Sequence, residues 1–425
     1  MENHITSSKN YTFREKLSWA LYDWANSAFA TTVLAGFFPL FFKSYWASDL
    51  DDVTSTALLG TASSIVGFII VMIAPFLGAM SDISNKRKLF LLVFAFVGIF
   101  STGLLFFTPQ GNWEWSLFIF GFSMIGFSGA NIFYDALIVD VSSESDRNMV
   151  SAMGYSLGYL GGGILFSLNV AMYIYPSFFG IDSQVNGILY SFLSVSIWWF
   201  IFSIPLFIFV KEKTLKNELT GINNLIRESF YRIFKTLKEI RGYKEVFIFL
   251  IAYWFYIDAI DTIVRMAVAY GSDLGLDAQY MIIALIVTQF VGFPSTFLFA
   301  YLANKFGLIL MLTIGILIYI FVCIYSLFIT TTIDFFVLAT LVGLVQGGVQ
   351  SVSRTIYSRL IPDNKSAEFF GFYNLIGKSA VVVGPALVGW TAYIFNNPKA
   401  GIISLLILFI PGIILLYFVP RDKLG

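Results

Sequence analysis

The chain is a near-continuous series of apolar segments, each long enough to cross a lipid bilayer as a helix. A spanning helix needs about 20 largely apolar residues, and twelve such segments follow one another, most of them separated by short turns. They lie near residues 17–42, 56–80, 88–108, 115–138, 150–175, 187–210, 245–270, 280–302, 307–329, 334–358, 369–394 and 399–419. Charged residues make up only 12% of the chain, about half of what soluble globular proteins carry. The sequence therefore predicts an all-α membrane protein with twelve transmembrane helices.

One long polar connection, residues 211–244, divides the apolar segments into two sets of six. We expect residues 1–210 and 245–425 to form two six-helix bundles, joined on the cytoplasmic side by this linker. Within the linker, residues 225–240 place apolar side chains at helical spacing and basic side chains on the opposite side. This pattern predicts a basic amphipathic helix that lies on the inner leaflet and contacts membrane lipids.

Basic residues indicate the orientation of the chain in the membrane. Most of the 26 Lys and Arg residues fall in the two terminal tails, the linker and the loops on the same side, whereas Lys43 and Lys399 are the basic residues of the opposite loops. Because loops rich in Lys and Arg stay on the cytoplasmic side, we expect both termini to be cytoplasmic. The outer loops are short and lack an Asn-x-Ser/Thr sequon, which suits a bacterial inner (plasma) membrane better than a fungal vacuole.

Three charged residues lie inside the seventh apolar segment and share one helix face. Asp258, Asp261 and Arg265 are spaced by three and four residues, so they lie within about 60° of one another around the helix axis. A charge at the bilayer centre costs about 2.5 to 3.5 kcal/mol on insertion scales. This face must therefore meet protein, water or a counter-charge, and it marks a polar pathway. Asp261 and Arg265 are also spaced for an intrahelical ion pair, which would leave Asp258 unpaired.

Polar residues recur in the first helix of each predicted three-helix unit. The first, fourth and tenth segments carry Asp23 and Asn26, Asn131 and Asp135, and Gln346, Gln350 and Arg354. Nested repeats of this kind surround one central site in secondary transporters, so we expect these residues, with Asp258, Asp261 and Arg265, to line one substrate-binding cavity. Four carboxylates against two guanidinium groups leave a surplus, and a buried surplus carboxylate tends to hold a proton. Because no span contains a histidine, an aspartate is the expected carrier of a transported proton.

The turn between the second and third segments carries a separate polar pattern. It reads GAMSDISNKRK and contains Gly78, Asp82, Lys86 and Arg87, which we expect to hold a cytoplasmic gate shut. Together with the layout of six plus six spans, this turn resembles the Gly-x-x-x-Asp-Arg-x-Gly-Arg-Arg pattern of the major facilitator superfamily, although the first arginine is absent here. Asn85 stands at the second glycine, and Asn can adopt the left-handed backbone conformation that the turn needs.

Four further stretches narrow the resemblance to one branch of that superfamily. They are YDWANSAFATT (residues 22–32), GYSLGYLGGG (154–163), LVQGGVQSVSR (344–354) and EFFGFYNLIGK (368–378). These stretches resemble the vacuole-effluxer-like family, which holds the fungal autophagy-related amino-acid effluxers and many bacterial relatives. The resemblance covers nearly the whole chain and implies the export of small metabolites, which are amino acids in the fungal case. The second stretch also contains two overlapping GxxxG steps, which favour close packing of helix backbones.

The residue inventory narrows the function classes. The formal net charge is zero, which argues against nucleic acid as a partner, and a single Cys and a single His give no metal or cofactor site. No HExxH or GxSxG motif indicates an enzyme. The favoured function is a monomeric secondary transporter that moves a small polar metabolite by alternating access. A non-transporting scaffold or receptor, and an uptake carrier for another small metabolite, are the alternatives.

The charges of the predicted cavity match an amino acid or a related zwitterion. Its ammonium group would bind Asp258 or Asp261, and its carboxylate would bind Arg265 or Arg354. We therefore expect proton-coupled efflux of such a molecule, with the direction of transport set by the gradients.

Overall fold

The computed structural model describes residues 11–50, 52–212, 227–231, 243–273, 276, 278–380 and 383–420. Within these residues all regular structure is helical, which confirms the predicted all-α class. We call the side of the membrane predicted to be cytoplasmic the inner side, and we call residues 11–212 and 243–420 the N-terminal and C-terminal halves. Most of the predicted linker helix lies outside the described residues. Its described part, residues 227–231, is helical.

Six long helices follow the predicted segments of the N-terminal half. They are α1 (Phe13–Ala28), α2 (Asp52–Ser84), α3 (Arg87–Leu104), α4 (Trp113–Ala136), α5 (Arg147–Ile174) and α6 (Gln184–Phe209). α1 begins at a capping box, in which the Thr12 hydroxyl accepts from the Glu15 N–H and the Glu15 carboxylate accepts from the Thr12 N–H. This arrangement satisfies backbone donors that have no partner within the helix.

The first span continues beyond α1 with wider helical turns. Phe29–Phe37 and Phe42–Trp46 are π-helical and flank a short α-helix, Phe38–Phe41. Turns of this type frequently occur at functional sites. The Phe38 ring stacks on the Phe120 ring of α4, with centroids 3.7 Å apart, so aromatic packing attaches the outer part of this span to the N-terminal half.

The described residues of the C-terminal half form eight α-helices. They are α7 (Lys244–Asp273), α8 (Ala278–Phe306), α9 (Leu308–Ser326), α10 (Thr332–Leu360), α11 (Ser366–Ala380), α12 (Val383–Phe395), α13 (Pro398–Ser404) and α14 (Leu406–Tyr417). Among the described residues, eleven helical runs are long and apolar enough to cross a membrane. The predicted span near 369–394 is not one of them because it consists of α11 and α12, and residues 381–382 between them lie outside the described ranges. With α11 and α12 taken as one interrupted span, the layout matches the twelve predicted spans.

The most extensive contacts between the halves join α2 to α11 and α5 to α8. At the first contact, a Cβ atom on Gly78 would lie 2.3 Å from the carbonyl oxygen of Ala367. At the second, a Cβ atom on Gly292 would lie 3.1 Å from the Tyr159 ring. Gly78 is therefore required, because any side chain there would collide with the backbone of α11.

Candidate functional site

Arg354 of α10 lies at the centre of a buried ion cluster between the halves. Its side chain is 1% exposed, and Nη1 lies 3.0 Å from Oδ1 of Asp135 and 3.8 Å from Oδ2 of Asp23. Nε donates to the Ser151 hydroxyl at 3.0 Å, and Nη2 donates to the Ser151 carbonyl oxygen at 2.8 Å. Three predicted site residues, from α1, α4 and α10, thus meet in one group, which we call the Arg354 cluster.

The Arg354 cluster contains two carboxylates and one guanidinium group. A buried charge without a partner is strongly destabilising. Asp23 lies farther from the guanidinium group than Asp135, and a proton on Asp23 would lower the negative charge of this group. The cluster is therefore a chemically suitable place for a proton to bind.

Aromatic rings enclose the guanidinium group of Arg354. Its Cζ atom lies 4.2 Å from the ring centroid of Tyr155, 4.9 Å from that of Trp19 and 5.6 Å from that of Tyr134, all within cation–π range. The Tyr134 hydroxyl also donates to Asp23 at 3.2 Å. Sequence patterns did not indicate these rings, because aromatic residues make up 18% of the chain and three more inside apolar segments carry no distinct signal.

Two glycines of the predicted packing motif allow α1 and α5 to meet at the cluster. A Cβ atom on Gly154 would lie 2.7 Å from the Tyr134 hydroxyl and 3.1 Å from Oδ2 of Asp23. A Cβ atom on Gly158 would lie 2.6 Å from the Ser27 hydroxyl. The GxxxG spacing therefore allows α5 to pack closely against α1. This packing holds Asp23 beside Arg354.

A second polar group lies at the inner ends of α2, α3 and α11, and we call it the inner gate. Arg87 donates from Nε to Asp82 at 2.7 Å and from Nη1 to Asp140 at 2.8 Å. Asp82 also accepts the backbone N–H groups of Ala367 at 3.2 Å and Glu368 at 2.8 Å. These N–H groups belong to the first turn of α11, where a carboxylate satisfies unpartnered donors and interacts favourably with the helix dipole.

The structure brings three of the four predicted gate residues together. Gly78 lies one turn before Asp82 and gives α11 room to approach, and Arg87 bonds to Asp82. Lys86 has an exposed side chain at the start of α3 and lies at the edge of the gate. Asn85 has a φ of 51°, the left-handed conformation that the turn needs. Asp140 was not predicted, because one acidic residue after a span does not stand out in the sequence.

The inner end of α5 adds further bonds between the halves. Arg147 donates from Nη1 to the carbonyl oxygen of Ser358 at 2.9 Å. Asn148 donates from Nδ2 to the carbonyl oxygen of Ala300 at 2.9 Å and to Oδ1 of Asn304 at 2.8 Å. We call these bonds, the Arg354 cluster and the inner gate together the inner seam. The inner seam closes the described structure on its inner side.

Asp258 has different surroundings from Asp23 and Asp135. It is fully buried in α7, and its carboxylate oxygens lie 2.9 and 3.0 Å from the backbone nitrogen of Gly384. Gly384 lies in the first turn of α12, so Asp258 caps that helix. The structure thus places Asp258 at the interruption of the eleventh span, and Asp23 and Asp135 at Arg354.

Asp261 and Arg265 lie further toward the outer side of α7. Asp261 is half-buried and Arg265 is exposed. Asp261 is one helical turn from Arg265, so the two side chains share one face of α7.

The predicted amide residues form two separate contacts. Asn26 donates from Nδ2 to Oδ1 of Asn131 at 2.6 Å and links α1 to α4. Gln350 accepts from the Tyr159 hydroxyl at 3.3 Å and links α10 to α5. Gln346 lies one turn before Gln350 in α10 and is half-buried.

Comparisons with known proteins agree with this architecture. The model of the family described as "Vacuole effluxer Atg22 like" matches residues 50–140 and 139–424. The "Uncharacterized MFS-type transporter YxiO" of Bacillus subtilis (strain 168) is 42% identical over 417 residues, which cover 97% of this chain and 96% of that protein. Autophagy-related protein 22-1 of Penicillium rubens is 27% identical over 300 residues, which cover 64% of this chain and 50% of that protein. The match thus spans about half the length of this fungal relative.

Solved structures of major facilitator superfamily transporters share the fold. The proton:xylose symporter XylE bound to 6-bromo-6-deoxy-D-glucose aligns with a TM-score of 0.68 at 15% identity, over 96% of this chain and 95% of that one. FucP in the outward conformation aligns with a TM-score of 0.65 at 15% identity, over 96% and 98%. At this level of identity the likeness concerns the fold alone. It confirms the predicted major facilitator fold.

Proposed function

The chain belongs to the Atg22-like vacuole effluxer family, and we propose that it exports an amino acid or a related zwitterion across a bacterial plasma membrane by proton-coupled alternating access. It is an integral membrane transporter of the major facilitator superfamily and not an enzyme. The substrate, the direction of transport, the coupling ion and the type of membrane are proposals.

The closed inner seam is the observation that carries the proposal. Arg354 of the C-terminal half donates to Ser151 and Asp135 of the N-terminal half, and Asp82 of the N-terminal half accepts from α11. These bonds hold the halves together on the inner side only while the halves are close. They must break before the inner side opens, as alternating access by movement of one half against the other requires.

Two opposite charges on α7 suit a zwitterionic substrate. Of the charges predicted to bind substrate, Arg354 and Asp258 are buried, whereas Asp261 is half-buried and Arg265 is exposed. We assign the ammonium group to Asp261 and the carboxylate to Arg265, one helical turn away. A site that pairs both charges discriminates against molecules that lack either one, because an unpaired polar group in the site is costly.

The Arg354 cluster supplies the proton site in this proposal. When the inner seam opens, Arg354 leaves with the C-terminal half, and Asp23 and Asp135 lose their counter-charge. Loss of a nearby positive charge favours the protonated form of a carboxyl group. Opening and proton binding therefore favour each other, as linkage requires.

Counterflow in proteoliposomes tests the function. Purified protein is reconstituted, the vesicles are loaded with one unlabelled amino acid at a time, and uptake of the same labelled compound is followed with and without a pH gradient. We expect exchange of a subset of amino acids well above protein-free vesicles, accelerated by the gradient. Asp182→Asn, which alters an exposed side chain in the loop before α6, is the control variant.

Two outcomes would contradict separate parts of the proposal. Absence of exchange for the whole panel, from protein that is monodisperse after reconstitution, would contradict the substrate class. Exchange at a rate independent of the pH gradient would contradict proton coupling.

A further inference from the structure

α5 carries a second stripe of residues beside its glycines, and this stripe faces the C-terminal half. Ser151, Tyr155 and Tyr159 are spaced by four residues, so they share one helix face. The Ser151 hydroxyl donates to a backbone carbonyl of α10 at 2.9 Å, and the Tyr159 hydroxyl donates to Gln350 at 3.3 Å. Tyr155 lies between these two contacts, with its ring over Arg354. Tyr155, the middle residue of the stripe, thus contacts Arg354.

Tyr155 differs from the other two rings around Arg354 in its exposure. Trp19 and Tyr134 are 0% and 1% exposed, whereas Tyr155 is half-buried. Tyr155 is therefore the partly accessible ring of the three, and it covers Arg354 on its accessible side.

We propose that Tyr155 is a positioning residue that holds Arg354 against Asp135 and Asp23. An aromatic face over a desolvated guanidinium group stabilises it, and the ring also keeps water from the ion pairs. Without the ring, water reaches Arg354 from this accessible side and weakens the attraction of the guanidinium group to both carboxylates. The inner seam then opens more often, even when no substrate is present.

Two substitutions separate the ring from its hydroxyl group. Tyr155→Phe keeps the aromatic face over Arg354, and Tyr155→Leu removes it. The reporter is Ser358→Cys in a Cys323→Ser background. Ser358 is fully buried at the seam, its hydroxyl bonds only within its own helix among the contacts described, and the bond to Arg147 uses its backbone oxygen. Alkylation of the introduced thiol by a charged maleimide therefore measures opening of the inner side.

The test is carried out on purified protein without substrate. We expect Tyr155→Phe to react at about the rate of the unmodified reporter, and Tyr155→Leu to react about tenfold faster, the effect of about 1.4 kcal/mol in the opening equilibrium. If Tyr155→Leu is not recovered as a monodisperse protein, Tyr155→Met, which also lacks the aromatic face, replaces it. Equal alkylation rates for the aromatic and aliphatic variants would overturn the positioning role, whether or not the protein transports amino acids.

Discussion

Arg354 shows how an intramembrane charge is held at the residue scale. Its donors bond to Ser151 and Asp135, and its ring neighbours cover the guanidinium faces. Every one of these hydrogen bonds reaches the other half of the chain. Removing one partner of a buried pair costs about 3 to 5 kcal/mol, so the energy of this residue depends directly on whether the halves are together.

Asp82 is predicted to matter for transport and not for folding. Asp82→Asn keeps one acceptor for the α11 N–H groups but loses the negative charge that faces Arg87 and the helix dipole. We expect transport to fall severalfold at unchanged membrane abundance, because a residue at the inner edge contributes little to helix insertion. Counterflow and quantitative blotting check the two quantities. Normal transport by Asp82→Asn would exclude a role in the gate.

Asp258 and Asp261 are predicted to respond differently to the same substitution. Asp258 is fully buried and caps α12, so Asp258→Ala, which removes the capping oxygens, should lower the folded yield, by an amount typical of a lost cap, about 0.5 to 2 kcal/mol. Asp261 is half-buried, so Asp261→Ala should keep the yield and raise the KM for the amino acid. Fluorescence-detected size exclusion and counterflow separate these outcomes. An unchanged KM in Asp261→Ala would contradict the assigned ammonium site.

At the element scale, the interrupted eleventh span is capped twice by other helices. Asp82 of α2 accepts N–H groups at the start of α11, and Asp258 of α7 accepts the N–H of Gly384 at the start of α12. Each capping carboxylate satisfies N–H groups that the start of a helix leaves without helical partners. The start of α11 is thus bonded to the N-terminal half, and the start of α12 is bonded to α7 of its own half.

The contact between α1 and α5 gives a prediction of its own. Gly154→Ala would place a methyl group 2.7 Å from the Tyr134 hydroxyl and 3.1 Å from the Asp23 carboxylate, and overpacking of this kind costs about 1 to 3 kcal/mol. We expect a lower melting temperature and weaker transport. Gly67→Ala is the matched control, because a Cβ atom there meets nothing within 4 Å and Ala is favoured over Gly in a helix. Equal melting temperatures for both variants would show that the packing at Gly154 is not tight.

At the scale of the whole molecule, the sequence indicated the fold better than the site. Apolar length predicted the helices, and helical spacing predicted that Asp258, Asp261 and Arg265 share a face. Spacing along one helix does not specify the depth or the partner helix, so it could not show that Asp23 and Asp135 share Arg354 while Asp258 caps α12. These partners depend on how helices distant in sequence pack together.

Residues without a charge pattern were the hardest to predict. Asp140 and Arg147 lie in short loops or at helix ends, where single charges are common, and their role is set by contacts with Arg87 and Ser358. Tyr155 is one tyrosine among 22, and only its position over Arg354 distinguishes it. Such residues become visible only when the halves are placed against each other.

Reversible cross-linking of the inner seam tests the central claim, that the seam must open for transport. Glu144 and Arg359 lie in different halves, and Arg359 donates to the Glu144 carbonyl oxygen at 2.9 Å. Glu144→Cys with Arg359→Cys, in the Cys323→Ser background, is joined by a short cleavable thiol reagent and assayed by counterflow before and after cleavage. The account predicts that the cross-linked protein does not transport and that cleavage restores the rate of the untreated double variant. Undiminished transport by fully cross-linked protein would contradict it.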